Sequence, residues 1–249
     1  MTSITIEIID HVVFLFLVAL GPWNGRRRFQ ILTRAVNAGD PNARKRLFRT
    51  ILIEKWALTG VVAAAWIALS RSAESIGLIA DFTPLPLAGF ALAALAIGAL
   101  LMYARSVTRS EQMRAKTREA LTPIRAMMPN TATEKRWFDA VSVTAGISEE
   151  LIFRGFLFAY LAALIPGIPA AVVVILAGLV FGLGHAYQGL AGIVKTGMIG
   201  VLFGALCWMT DSVLAPMLLH AAVDLTSGWV SWQVLDEAGL DDMAAPAAA

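Results

Sequence analysis

Long apolar stretches recur through this chain, at roughly 5–22, 53–70, 84–104, 139–164, 170–187, 190–209 and 212–232, each bounded by charge, proline or glycine. A helix of about 18 or more apolar residues is what crosses a hydrocarbon layer ~30 Å thick, so these runs point to lipid as the solvent. Composition agrees. Of 249 residues 58% are hydrophobic and 15% charged, with a mean hydropathy of +0.70, against about 45–50% apolar and about 25% charged in soluble domains. The expected fold is therefore all-α: a polytopic transmembrane bundle of about seven helices, with residues 1–235 as a single transmembrane domain. The lone cysteine, Cys207, sits in an apolar run and reads as a packing residue.

The distribution of cations orients the bundle. Nine of the 20 Lys and Arg lie between Arg26 and Lys55 and eight between Arg105 and Arg136, leaving Arg71, Arg154 and Lys195. These two loops follow the first and third helices and face the same side, which the positive-inside rule makes cytoplasmic. The N-terminus is then outside and the C-terminus cytoplasmic, even though Glu7, Asp10 and His11 occupy the first turns of helix one. The Arg-rich loops read as topology determinants and anionic-lipid contacts, with no nucleic-acid partner, which would want a folded basic face. Short loops and the lack of a targeting signal suggest the cytoplasmic (inner) membrane of a prokaryote.

Smaller features follow the same logic. Segment 105–136 reads as a helical interfacial connector with Ile124, Met127 and Met128 as its apolar contacts and Pro129 as a break. Residues 236–249, acidic and then Ala-rich, read as a disordered tail. Gly178 with Gly182, and Gly200 with Gly204, are pairs that let helices approach closely. His11 reads as an interfacial residue, and Lys195 as a snorkelling one.

Polar residues stranded in apolar surroundings carry the functional signal, because an ionisable group at membrane depth is costly unless paired or facing a wet cavity. Glu149, Glu150 and Arg154 lie in the fourth apolar run, His185 ends the fifth, and His220 and Asp224 lie in the last. Two of the chain's three histidines belong to this set. Glu150 and Arg154, four apart, share a helix face, so the arginine can neutralise that carboxylate. Glu149 points about 100° away and is unpaired within its own helix, which makes it the freer base. His220 and Asp224 also share a face, and Pro216, one turn earlier, is expected to loosen the helix where that pair begins. The motif-bearing core is 139–232.

Three motifs in order, Glu149-Glu150-Leu151-Ile152-Phe153-Arg154, Phe181 to His185 and His220 to Asp224, resemble those of the membrane-embedded CPBP proteases, the CAAX-protease and bacteriocin-processing group that includes the Rce1-type prenyl-protein endopeptidases. The resemblance covers about residues 139–228. It implies an intramembrane endopeptidase in which Glu149 and His185 activate a water while His220 and Asp224 stabilise the oxyanion, with Glu150, Arg154 and Phe181 in support. Its substrate is then a membrane-associated protein or peptide, prenylated tails being one option, and no cofactor is required.

The chain departs from the family at Asp224, where many members carry asparagine. An ionised aspartate accepts hydrogen bonds and cannot donate one to an oxyanion. Either burial protonates it, or it orients His220 and holds the imidazole charged, leaving His220 as the side-chain donor. A metal mechanism stays open on residue types alone, since two histidines and a carboxylate with a water suit Zn²⁺. The resemblance and the absence of a His-Glu-x-x-His run favour the metal-free route. Two other functions remain compatible with buried acids and histidines: a proton-coupled transporter, for which no internal repeat is found, and a non-catalytic scaffold or immunity protein.

Overall fold

A computed structural model describes residues 4–79 and 83–244, with side chains through Leu235. The described residues form eight helices and no strand: α1 (Ile8–Asn37), α2 (Ala43–Ala68), α3 (Pro84–Arg109), α4 (Glu111–Leu121), α5 (132–164), α6 (Ala170–Gly184), α7 (Gly189–Thr210) and α8 (Leu214–Ala244). The all-α class is as expected, and each expected apolar run falls on a helix. By length and apolarity α1, α2, α3 and α7 suffice to cross a bilayer. Helix α6 is apolar but has 15 residues, about 22 Å at 1.5 Å per residue. The expected tail beginning at 236 has side chains outside the described residues, and 245–249 lie outside them altogether.

Helix ends differ from those expected, for physical reasons. α1 was expected to stop at 22, at Gly21-Pro22 and the first arginines. It continues to Asn37, so Arg26, Arg27, Arg28 and Arg34 lie on a helix instead of in a loop. Arginine is a good helix former, and a helix need not end where the hydrocarbon does. The proline is accommodated by a wide, π-type turn at Phe16–Leu20 just before it, which takes up the clash that a pyrrolidine ring makes with the preceding turn. α2 likewise begins at Ala43, so the cations from Arg44 to Lys55 are helical, and Lys55 lies near its middle. Pro216 is the third residue of α8. In a first turn its missing N–H costs nothing, so it starts the helix instead of loosening it.

α5 is the axis of the bundle. Every residue from 148 to 161 is buried, and its Leu151–Leu161 stretch joins Val13, Leu17, Val62, Trp66, Val173, Ala177, Phe181 and Met217 in the main core. A helix buried all round in this way is an interior helix. α2 and α8 both pack on α5, and α6 packs along α7. The last contact is close because it is glycine on glycine: a Cβ on Gly178 would lie 2.9 Å from Val201 N, and one on Gly200 3.1 Å from Gly178 Cα. The connector is helical at Glu111–Leu121, and its Met113 packs on Ala104, Val107, Val230 and Val234. Away from the site, Asp10 is buried and held bidentately by Arg71 at 2.8 and 2.6 Å, while His11 Nδ1 lies 2.8 Å from the Tyr160 hydroxyl. These bonds fasten the start of α1 to the bundle.

Gly146 sets the distance between α5 and α8. A Cβ there would sit 2.8 Å from both Cβ and N of Ala221, with backbone as one of the obstacles. Gly146→Ala is therefore expected to destabilise the protein by about 1–3 kcal/mol, read as a lowered midpoint of thermal unfolding in detergent. It moves Glu149 and Glu150, one turn on, away from His220.

Candidate active site

Local geometry places the carboxylates. Glu149 and Glu150 close the regular part of α5 and are followed directly by a second π-type turn, Leu151–Phe156, that contains Arg154. Wide turns of this kind recur at functional sites. Glu150 and Arg154 are both fully buried, and Arg154 Nη1 donates to Glu150 Oε1 at 2.9 Å, the pairing expected from their spacing. The other guanidinium arm, Nη2, donates to the carbonyl of Gly200 on α7 at 2.8 Å. The cation also lies 4.6 Å from the Phe181 ring centre and 5.6 Å from that of Phe203, an arrangement that replaces water with ring faces.

His220, on α8, completes this cluster from 70 residues away. Its Nδ1 lies 2.7 Å from Glu150 Oε1, and since a carboxylate only accepts, Nδ1 carries the hydrogen. Nε2 then points toward Glu149 Oε2 at 4.0 Å and Asp224 Oδ2 at 3.7 Å. Glu150 is thus the partner of Nδ1, while Asp224 faces Nε2. Phe181 and Phe203 pack on the imidazole with ring centres 5.8 and 5.1 Å away.

His185 ends α6. Its Nδ1 donates to the Phe181 carbonyl at 2.9 Å, which leaves Nε2 with the lone pair. The ring packs on Phe181 at 4.8 Å and lies within electrostatic reach of Glu149 and His220. Phe181 therefore packs against Arg154, His185 and His220 together.

Glu149 has a partner that sequence reasoning missed. Lys55 Nζ, on α2, lies 2.6 Å from Glu149 Oε1. Glu149 Oε2 is buried and bonds no protein group. Lys55 and Asp224 are part-exposed, at 30% and 37%, as is His185, so the site opens on their side while Glu150 and Arg154 form its closed floor. By sequence Lys55 reads as one of the loop cations; what marks it out is its place, with Glu54, inside an otherwise largely apolar run from Ile51 to Val62. Phe203 gave no signal, being one apolar residue among many on α7.

Glu149, Glu150, Arg154, Phe181, His185, His220 and Asp224 thus lie in or beside one cluster. Among the described residues no three His, Cys, Asp or Glu side chains are grouped as metal ligands. His220 Nδ1 is engaged by Glu150, and Glu149 Oε1 by Lys55.

Residues 135–226 match a family model described as type II CAAX prenyl endopeptidase, Rce1-like. The match covers less than half of the chain and contains all three motifs. Comparison with curated proteins and with solved structures finds no match.

Proposed function

We propose, from the Rce1-like match over residues 135–226 as premise, that this integral membrane protein is an endopeptidase that hydrolyses a peptide bond of a membrane-associated protein or peptide, prenylated tails among the candidates. The observation that carries the reading is the pairing of an unbonded carboxylate oxygen, Glu149 Oε2, with an oriented imidazole, His220 Nε2, 4.0 Å apart and buried. In this reading a water attacks the scissile carbonyl carbon and gives its proton to Glu149, assisted by the lone pair of His185 Nε2. The carbonyl oxygen becomes an oxyanion that accepts a hydrogen bond from His220 Nε2–H. Glu149 then returns the proton to the departing amine. A donor of this kind, held in a site largely closed to water, contributes about 3–4 kcal/mol to the transition state.

Glu150 and Arg154 serve this chemistry by fixing the imidazole, Glu150 through Nδ1 and Arg154 by holding Glu150. Asp224, one turn along α8, places its carboxylate 3.7 Å from Nε2, facing the same edge of the imidazole. No metal is needed for any of these steps.

The test is cleavage of a panel of quenched lipidated and unlipidated peptides by the purified protein in detergent. Cleavage is expected for at least one peptide, lost in His185→Ala and indifferent to a chelator. Cleavage that a chelator stops would replace this mechanism with a metal-dependent one, and cleavage that survives His185→Ala would remove that residue from the water-activating role.

A further inference from the structure

The chemistry proposed above leaves Lys55 without a task, yet its ammonium sits on the group that chemistry most depends on. Lys55 is the thirteenth residue of α2, about 18 Å along the helix axis from its start, and a cation so placed is costly unless it is paired. It is paired with one oxygen only. Nζ holds Glu149 Oε1 at 2.6 Å, while Glu149 Oε2 faces His220 Nε2 and bonds no protein group. The bond crosses from α2 to α5, and two aromatic pairs fix that packing on either side of it: Phe48 with Phe138, centres 5.9 Å apart, and Trp66 with Phe156, 6.3 Å apart. The other cation of the site, Arg154, is bonded to Glu150 and Gly200 and sandwiched between rings, so it does not serve Glu149.

We propose that Lys55 is a positioning residue for hydrolysis: by holding Oε1 it keeps the Glu149 carboxylate charged and turned so that Oε2 alone meets the attacking water. The proposal rests on the glutamate and histidine reading above. Without the ammonium, a carboxylate with 6% of its surface exposed has no charge partner on its accessible side, and it either takes up a proton or swings toward water. Both outcomes cost the base its function while leaving His220, Glu150 and Arg154 bonded to one another.

Lys55→Met and Lys55→Arg in the full-length protein, in detergent, test this on two independent readouts. With a peptide that the wild type cleaves, Lys55→Met is expected to lower kcat by about 10–100-fold, a part of what a general base contributes, with KM within about twofold, and Lys55→Arg to recover most of the loss. Infrared difference spectra against Glu149→Gln require no substrate: the carboxylate band assigned to Glu149 is expected in the wild type and in Lys55→Arg, and a protonated carboxyl band in Lys55→Met. A raised kcat in Lys55→Met would mean that the pair restrains the enzyme and would overturn the proposal, as would an unchanged kcat or a change confined to KM, which would make Lys55 a substrate contact. If the wild type cleaves no peptide, the proposed function falls and the infrared arm decides alone; a Glu149 carboxylate band that survives in Lys55→Met then overturns the positioning role.

Discussion

Glu149→Gln is expected to lower kcat by about 10³-fold on any peptide that the wild type cleaves, within the span that a positioned base contributes. Glutamine keeps the size of the side chain, and its amide oxygen still accepts from Lys55 at the place where Oε1 now sits 2.6 Å from Nζ. What it loses is the capacity to take a proton from water and return it. The loss is therefore chemical and not structural, and the midpoint of thermal unfolding is expected to stay within about 2–4 °C of the wild type, the span of 1 kcal/mol for a chain of this size. Glu149→Ala is the less clean variant, because it leaves the Lys55 ammonium unpaired and opens a void beside His220. Retention of wild-type kcat in Glu149→Gln would show that the proton goes elsewhere, with His185 as the remaining candidate.

Arg154→Met is expected to cost stability before it costs chemistry. The guanidinium is fully buried and satisfies Glu150 Oε1 and the Gly200 carbonyl at once. Its removal leaves Glu150, also fully buried, with only His220 as a charge partner. Breaking a buried pair from one side costs about 3–5 kcal/mol, which for a chain of this length lowers the unfolding midpoint by roughly 6–20 °C. The diagnostic comparison is Glu150→Gln/Arg154→Met. With both charges gone the desolvation penalty goes too, so the double variant is expected to unfold at a higher temperature than Arg154→Met alone while remaining inactive, since nothing then holds His220 Nδ1 on a carboxylate. A double variant no more stable than the single one would show that Arg154 acts through Gly200 and the phenylalanine rings instead of through Glu150.

Local relations in the sequence were legible, and relations across helices were not. Apolar runs located the helices because lipid demands a minimum length. Glu150 with Arg154 was legible because four residues is one turn. The same logic failed at helix ends: Gly21-Pro22 reads as a stop, but the wide turn at Phe16–Leu20 carries the helix through it. Pro216 reads as a break until it is seen to occupy the first turn of α8. The bond from His220 to Glu150 spans 70 residues, and no spacing rule reaches that far. The same is true of Lys55 on Glu149: a lysine in an arginine-rich region reads as a topology signal until tertiary packing shows which face of α2 turns toward α5. Phe203 shows the limit most plainly, because an aromatic residue on an apolar helix is indistinguishable from its neighbours until Arg154 and His220 are seen to touch it.

The separation of 70 positions from Glu150 to His220 also sets a waiting time during synthesis. At about 5–20 residues per second, the ribosome delivers His220 roughly 4–14 s after Glu150. Throughout that interval a nascent chain lacking α8 holds two adjacent acids in an otherwise oily segment. Each already has a companion made earlier or close by: Lys55 from upstream for Glu149, and Arg154 one turn on for Glu150. Both cations are thus synthesised before α8, and neither acid depends on that helix for an opposite charge.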